Sequence, residues 1–176
     1  MKLVSLTFVD MHLKLIFYIG IFISIAGCLR IENYPDEPVI EFESFTPNDS
    51  GAMLNIAFTD GDGNFGLSQL DTTGIFGDCQ WKYNIFCEYY EKQNGIWNHI
   101  ELDPCLDVNI IPFYYRAPIA EPLGQAKAQK GNVQLQMYPL YYLPTPFDTC
   151  KFEIRIADRN QNVSNRVFTP EFIKPQ

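Results

Sequence analysis

The sequence predicts an all-β protein, an antiparallel β-sandwich of seven or eight short strands. Three observations point there. Apolar and aromatic residues alternate with polar ones in several runs, the period of a half-buried strand. Clusters of Gly, Pro, Asn and Asp punctuate those runs at a loose spacing of 8 to 20 residues. No stretch sustains a 3.6-residue apolar period beyond a turn or two at 125–130. Apolar residues at 47% and aromatics at 15% suffice for a core and argue against disorder.

The elements follow in order. Residues 39–46 carry apolar side chains at Ile40, Phe42 and Phe45 and stop at Thr46-Pro47-Asn48-Asp49. Residues 53–59 alternate through Leu54, Ile56 and Phe58 and run into a Gly/Asp-rich loop. Two aromatic runs, 82–92 and 96–102, flank Asn94-Gly95, a pair that tolerates positive φ at both positions and so predicts a tight hairpin. Pro112 interrupts 108–115 and demotes it to an edge or bulged strand. Residues 116–131, with two prolines and two glycines, read as an excursion, and 132–137 as a strand. Cys150, Phe152, Ile154 and Ile156 alternate against Lys151, Glu153 and Arg155 in a strand over 150–157. A turn at Asn160-Gln161-Asn162 leads to a last strand over 164–170. This spacing suits an immunoglobulin-like sandwich.

The chain opens differently. An apolar run from Leu15 to Ala26 follows Lys14 and ends in Ile25-Ala26-Gly27-Cys28. Its roughly 13 residues fall short of the ~20 that cross a bilayer. A basic flank, a short apolar segment and small residues describe a secretory signal. The tetrapeptide resembles the lipobox of bacterial lipoproteins, which implies acylation of the Cys28 thiol and cleavage before it. The expected organisation is a signal peptide over 1–27, a lipidated Cys and tether over 28–37 and one domain over 38–176. Met11-His12-Leu13-Lys14 offers an alternative start.

Cleavage at Cys28 removes Lys2, Lys14 and Asp10, which leaves 11 basic against 20 acidic residues. An acidic chain with scattered lysines is a poor polyanion binder, so no nucleic-acid partner is expected. His99 is then the sole histidine, which removes Ser-His-Asp triads and multi-histidine zinc sites. A Glu88/Glu101 pair across the hairpin is the one candidate for glycoside hydrolysis, and antiparallel neighbours give that pattern without chemistry. The protein is expected not to be an enzyme.

Further motifs carry a resemblance. Tyr34-Pro35 with Glu37-Pro38, the run Phe58-Thr59-Asp60-Gly61-Asp62-Gly63-Asn64-Phe65-Gly66-Leu67, and Tyr89-Tyr90-Glu91-Lys92-Gln93-Asn94-Gly95 are similar to a family of uncharacterised lipoproteins of Bacteroidota bacteria. So are Phe152-Glu153-Ile154, Asp158-Arg159 and Asn162-Val163-Ser164-Asn165. The resemblance implies an Ig-like domain on an outer-membrane lipid anchor. The acidic residues Glu32, Asp36 and Glu37 resemble a surface-export signal and favour the cell surface over the periplasmic face.

Asp60, Asp62 and Asn64 offer oxygens on alternate residues, the spacing Ca²⁺ requires. Loops after the second and penultimate strands share one end of a sandwich, which brings Asp158 to them. The alternative is a turn in which Asp and Asn bond their own backbone amides, with Arg159 or Arg155 neutralising the charge. Besides Cys28, four cysteines remain, and an exported chain favours disulfides. Cys87–Cys150 is expected between sheets and Cys79–Cys105 across the open end of the hairpin. Spacings without any Cys-x-x-Cys argue against zinc. Consecutive aromatics send one ring outward, which makes Trp97, Tyr115 and Tyr142 candidate binding residues. Together these readings predict a lipid-anchored, non-enzymatic module of an outer-membrane protein assembly, the alternative being a glycan-binding module of a surface nutrient-capture system.

Overall fold

Backbone groups in the computed structural model, which describes residues 33–48, 51–106, 111–119, 127–137 and 140–175, are paired between antiparallel strands. The segment 1–27 and Cys28 lie outside the described residues. So do 108–110 of the strand expected over 108–115. The strands are β1 (Val39–Asn48), β2 (Gly51–Asp60), β3 (Ile85–Gln93), β4 (Ile96–Ile100), β5 (Tyr114–Tyr115), β6 (Gln129–Met137), β7 (Thr149–Ile156), β8 (Val167–Phe168) and β9 (Phe172–Ile173). One sheet has the order β1-β2-β6 and the other β4-β3-β7-β8, with β5 beside β3 and β9 beside β7. That order places β1, β2 and β6 where strands A, B and E of an immunoglobulin-like sandwich lie, and β3 and β7 where C and F lie.

Alternation decides which residues meet. Ile40, Leu54, Ile56 and Phe58 from one sheet face Ile85, Cys87, Tyr89, Cys150, Phe152, Ile154 and Ile156 from the other, and all are buried. Phe152 sits at the centre with the rings of Phe45, Tyr89, Phe113 and Phe172 at centroid distances of 5.3–5.8 Å. Asn94 and Gly95 take φ of 53° and 82°, so the β3–β4 turn is the one the dipeptide predicts.

Three differences from the sequence reading have local causes. β6 begins at Gln129, ahead of 132, because Gly131 is a strand residue: a Cβ there would stand 3.2 Å from the Phe58 ring. The final segment splits into β8 and β9 around Pro170, which cannot donate to a ladder. The segment assigned to the tether already touches the body at Pro35, whose carbonyl accepts from Gly61 N at 2.7 Å.

The expected Cys87–Cys150 bridge is corrected. Both thiols are free and buried. Cys87 and Cys150 lie on neighbouring strands of one sheet, where Cys87 opposes Ile154 and Cys150 opposes Glu91. Four steps of register put their Cα atoms about 13 Å apart, near twice the span of a disulfide. Burial pushes both thiols' pKa values up, so they stay protonated.

The core is closed at one end by an ion pair. Lys174 Nζ donates to Glu91 Oε1 (2.9 Å), Leu143 O (2.7 Å) and Thr145 Oγ1 (2.7 Å), and the Thr145 hydroxyl also bonds Glu91. Burial alone raises the Glu91 pKa, but hydrogen bonds from Thr145 and Lys174 outweigh it and leave the carboxyl below its ordinary value. A depressed carboxyl contributes stability above the unfolded pKa of 4.5 and loses it as pH falls through the folded value. Urea titrations of wild type and Glu91→Gln should therefore differ by about 3 kcal/mol at neutral pH, the cost of orphaning a buried charge, and converge on acidification below that value. Phe152→Ala should cost about 3–5 kcal/mol in the same assay, since four rings lose their shared neighbour.

Candidate functional site

The inward series of β2 runs Leu54, Ile56, Phe58, Asp60, so the alternation that builds the core also turns the last residue, a carboxylate, inside. β7 ends at Ile156 and the chain turns at Asp158 through Gln161, which takes φ of 65°. Both strands open on the same end of the sandwich. One carboxylate oxygen from each of Asp60, Asp62 and Asp158 lies within 4.8 Å of the others. Asp60 is 0% and Asp158 3% exposed.

Neighbouring groups answer some of these oxygens. Asp60 Oδ2 accepts from the backbone N–H of Asn64 (3.0 Å) and Phe65 (2.8 Å). Asp158 accepts from Asn162 N and Nδ2, each at 2.8 Å. Asp62 Oδ2 accepts from Asn64 Nδ2 (2.6 Å) and Asn160 Nδ2 (3.0 Å). Asn64 therefore spends its amide on Asp62, and its carbonyl oxygen accepts from Arg159 N at 3.3 Å. Its amide thus steadies the Asp62 carboxylate beside the point where the three acids converge. Asp60 Oδ1 and Asp62 Oδ1 are buried without a hydrogen-bond partner. Burial, then the adjacent Asp62 carboxylate, pushes the Asp60 pKa up to about 6.

The two arginines that could neutralise the cluster are engaged elsewhere. Arg159 forks onto both oxygens of Asp71, and Arg155 Nη2 reaches Glu88 Oε1 at 2.9 Å. Among the described residues no ion pair reaches Asp60, Asp62 or Asp158. The loop between β2 and β3 is clamped by Arg116, whose guanidinium donates to the carbonyls of Lys82, Ser68 and Asp71. Gly63, at φ 67°, allows Lys127 O to approach to where a Cβ would stand 1.6 Å away.

A second polar assembly lies on the outer face of the larger sheet. Glu88 and Glu153 oppose each other across β3 and β7. Glu88 accepts from Tyr114 OH (2.8 Å) and Arg155 and sits 3.1 Å from His99 Nε2; Glu153 accepts from Tyr90 OH at 3.2 Å and lies 3.4 Å from Arg166 Nε. The sequence pairing of Glu88 with Glu101 missed this, because Arg155 and Tyr114 reach Glu88 only through register. Trp97 lies on the same face, with the Lys151 ammonium 4.5 Å from its ring and 4.8 Å from that of Phe168. Tyr115 and Tyr142 do not present outward faces; both are half-buried against the core. Beside Glu88 is a cavity of about 220 Å³ lined by Trp81, Phe86, Asp103, Tyr114 and Arg155.

The other expected bridge, Cys79–Cys105, is present with Cα atoms 5.4 Å apart, and Cys79 forms part of that cavity's rim. Comparison with protein-family models, curated proteins and solved structures finds no match. Alkylation in denaturant without reductant should label Cys87 and Cys150 and spare Cys79 and Cys105 in peptide mass maps; in native buffer all four should stay unlabelled.

Proposed function

We propose that this protein is a lipid-anchored envelope module that works by binding an outer-membrane protein partner, through the outer face of its larger sheet. The observation that carries the binding surface is the burial of polar groups where a sandwich normally faces water. Glu88 and Glu153 are 9% and 4% exposed, yet they lie on the face opposite the core. Tyrosines and arginines hold them in a rigid array, flanked by Trp97, Lys151 and the half-exposed Phe168. Aromatic and cationic side chains with little freedom left to lose suit an interface. The carboxylate oxygens are already engaged by tyrosine, histidine and arginine, which favours contact over turnover. The anchor rests on Ile25-Ala26-Gly27-Cys28 after its short apolar run.

The cavity favours a second reading, a glycan ligand. Aromatic rings beside carboxylates and a guanidinium match the apolar faces and hydroxyls of a sugar, and a volume below the roughly 300–1,000 Å³ of larger ligand sites admits a single ring.

Cys28→Ser should move the protein from the detergent phase to the aqueous phase; unchanged partitioning removes the anchor. Affinity capture from solubilised membranes should recover one stoichiometric membrane protein, and Trp97→Ala with Lys151→Ala should lose it. A glycan array that binds wild type and not Trp81→Ala would select the second reading instead.

A further inference from the structure

We propose that Asp60, Asp62 and Asp158 form a calcium site that ties the β2–β3 loop to the turn after β7. The inference is independent of the binding face proposed above, since it concerns the end of the sandwich rather than the outer sheet surface.

The spacing admits a single shared ion, and the donors favour calcium. Oxygens on one Ca²⁺ lie no farther apart than about 4.8 Å, twice a bond of roughly 2.4 Å, while Mg²⁺ demands a near-ideal octahedron and dehydrates reluctantly. The three carboxylates already lie within 4.8 Å of one another. Calcium accepts six to eight oxygens in flexible arrangements, so three carboxylates leave room for carbonyls and water. A donor set made only of oxygen excludes preference for zinc or copper.

Independent of that spacing, two oxygens point to a missing positive partner. Asp60 is fully buried, and its Oδ1 meets no donor; Asp62 Oδ1 is likewise buried and unanswered. A buried carboxylate oxygen that has given up water and found no donor is rare and costly. Three such groups also repel one another, the more so for being taken out of water. The ordinary remedy would be an arginine, and the two at hand are turned away to Asp71 and Glu88. A divalent cation would answer both orphaned oxygens and the repulsion at once. A site with only three carboxylates suits the roughly 10⁻⁴–10⁻³ M affinities of extracellular calcium modules.

The test uses the full-length protein in detergent, stripped with chelator, then melted with EGTA, with calcium or with magnesium at equal ionic strength. Calcium at a hundred times its dissociation constant should raise the folding constant about 100-fold, a shift of roughly 5–10 °C in melting temperature. Magnesium should shift it less. Direct calcium titration should give one site per chain. Asp60→Asn and Asp158→Asn should melt at or above wild type in EGTA, because each removes a repelling charge, and should gain nothing from calcium. Equal melting of wild type in calcium and in EGTA overturns the site, as does an equal shift by magnesium. A variant that keeps the full calcium shift overturns the ligand assignment. If a variant fails to fold, the wild-type titration and its stoichiometry still decide.

Discussion

The pairing of β3 with β7 is the constraint on which the rest of the molecule depends. With Cys87 opposite Ile154 and Tyr89 opposite Phe152, every second residue of both strands is committed to the interior. A slip of β7 by one residue would turn Glu153 and Arg155 into the core and Phe152 into water. The aromatic contacts around Phe152 therefore hold the sheets together and also enforce register. Because β7 stops at Ile156 in that register, the chain emerges beside the end of β2, which fixes where Asp158 lies.

Charge is distributed around that frame according to how deeply it is buried. Glu91 is inside and is answered by Lys174, which joins the C-terminal end of the chain to β3. Glu88 and Glu153 are nearly inside on the opposite face and are answered by two arginines with tyrosines and a histidine. Asp71 takes Arg159 and so anchors the β2–β3 loop to the turn after β7. Each of these carboxylates has its own cation. Among the described residues Asp60, Asp62 and Asp158 form the exception, held by amide donors alone, and they lie between the two loops that Arg159 joins. The arginine acts as a strap across that end, and among the described residues no cationic side chain pairs with the acidic cluster.

Much of this was legible beforehand, for physical reasons that can be named. Period-two alternation identified β2, β6 and β7 because successive side chains take opposite faces of a strand, and the aromatic run leading into Asn94-Gly95 identified β3. Asn94-Gly95 identified its hairpin because few other pairs accept positive φ twice. The approach of Asp158 to Asp60 and Asp62 followed from sandwich topology. What alternation leaves open is which residues stand opposite each other. Cys87 and Cys150 both fall on inward positions, yet inward positions of one sheet can be four steps apart. Glu88 was matched to Glu101 across the hairpin, while its side-chain partners are His99 on β4, Tyr114 on β5 and Arg155 on β7. Gly131 looked like a loop residue and proved to be the gap in a strand that admits the Phe58 ring.

The order of residues alone thus determined the all-β class, the sandwich, most strand positions and the two loops that meet at the acidic end. These follow from local rules, since solvation of one strand face and the φ allowed at a turn depend on near neighbours only. The tertiary structure decided the register between β3 and β7, the partners of each buried charge, the freedom of Cys87 and Cys150 and the inward burial of Tyr115 and Tyr142. Those outcomes depend on distances between residues far apart in the chain, where a shift of one position along a strand reverses the face a side chain presents.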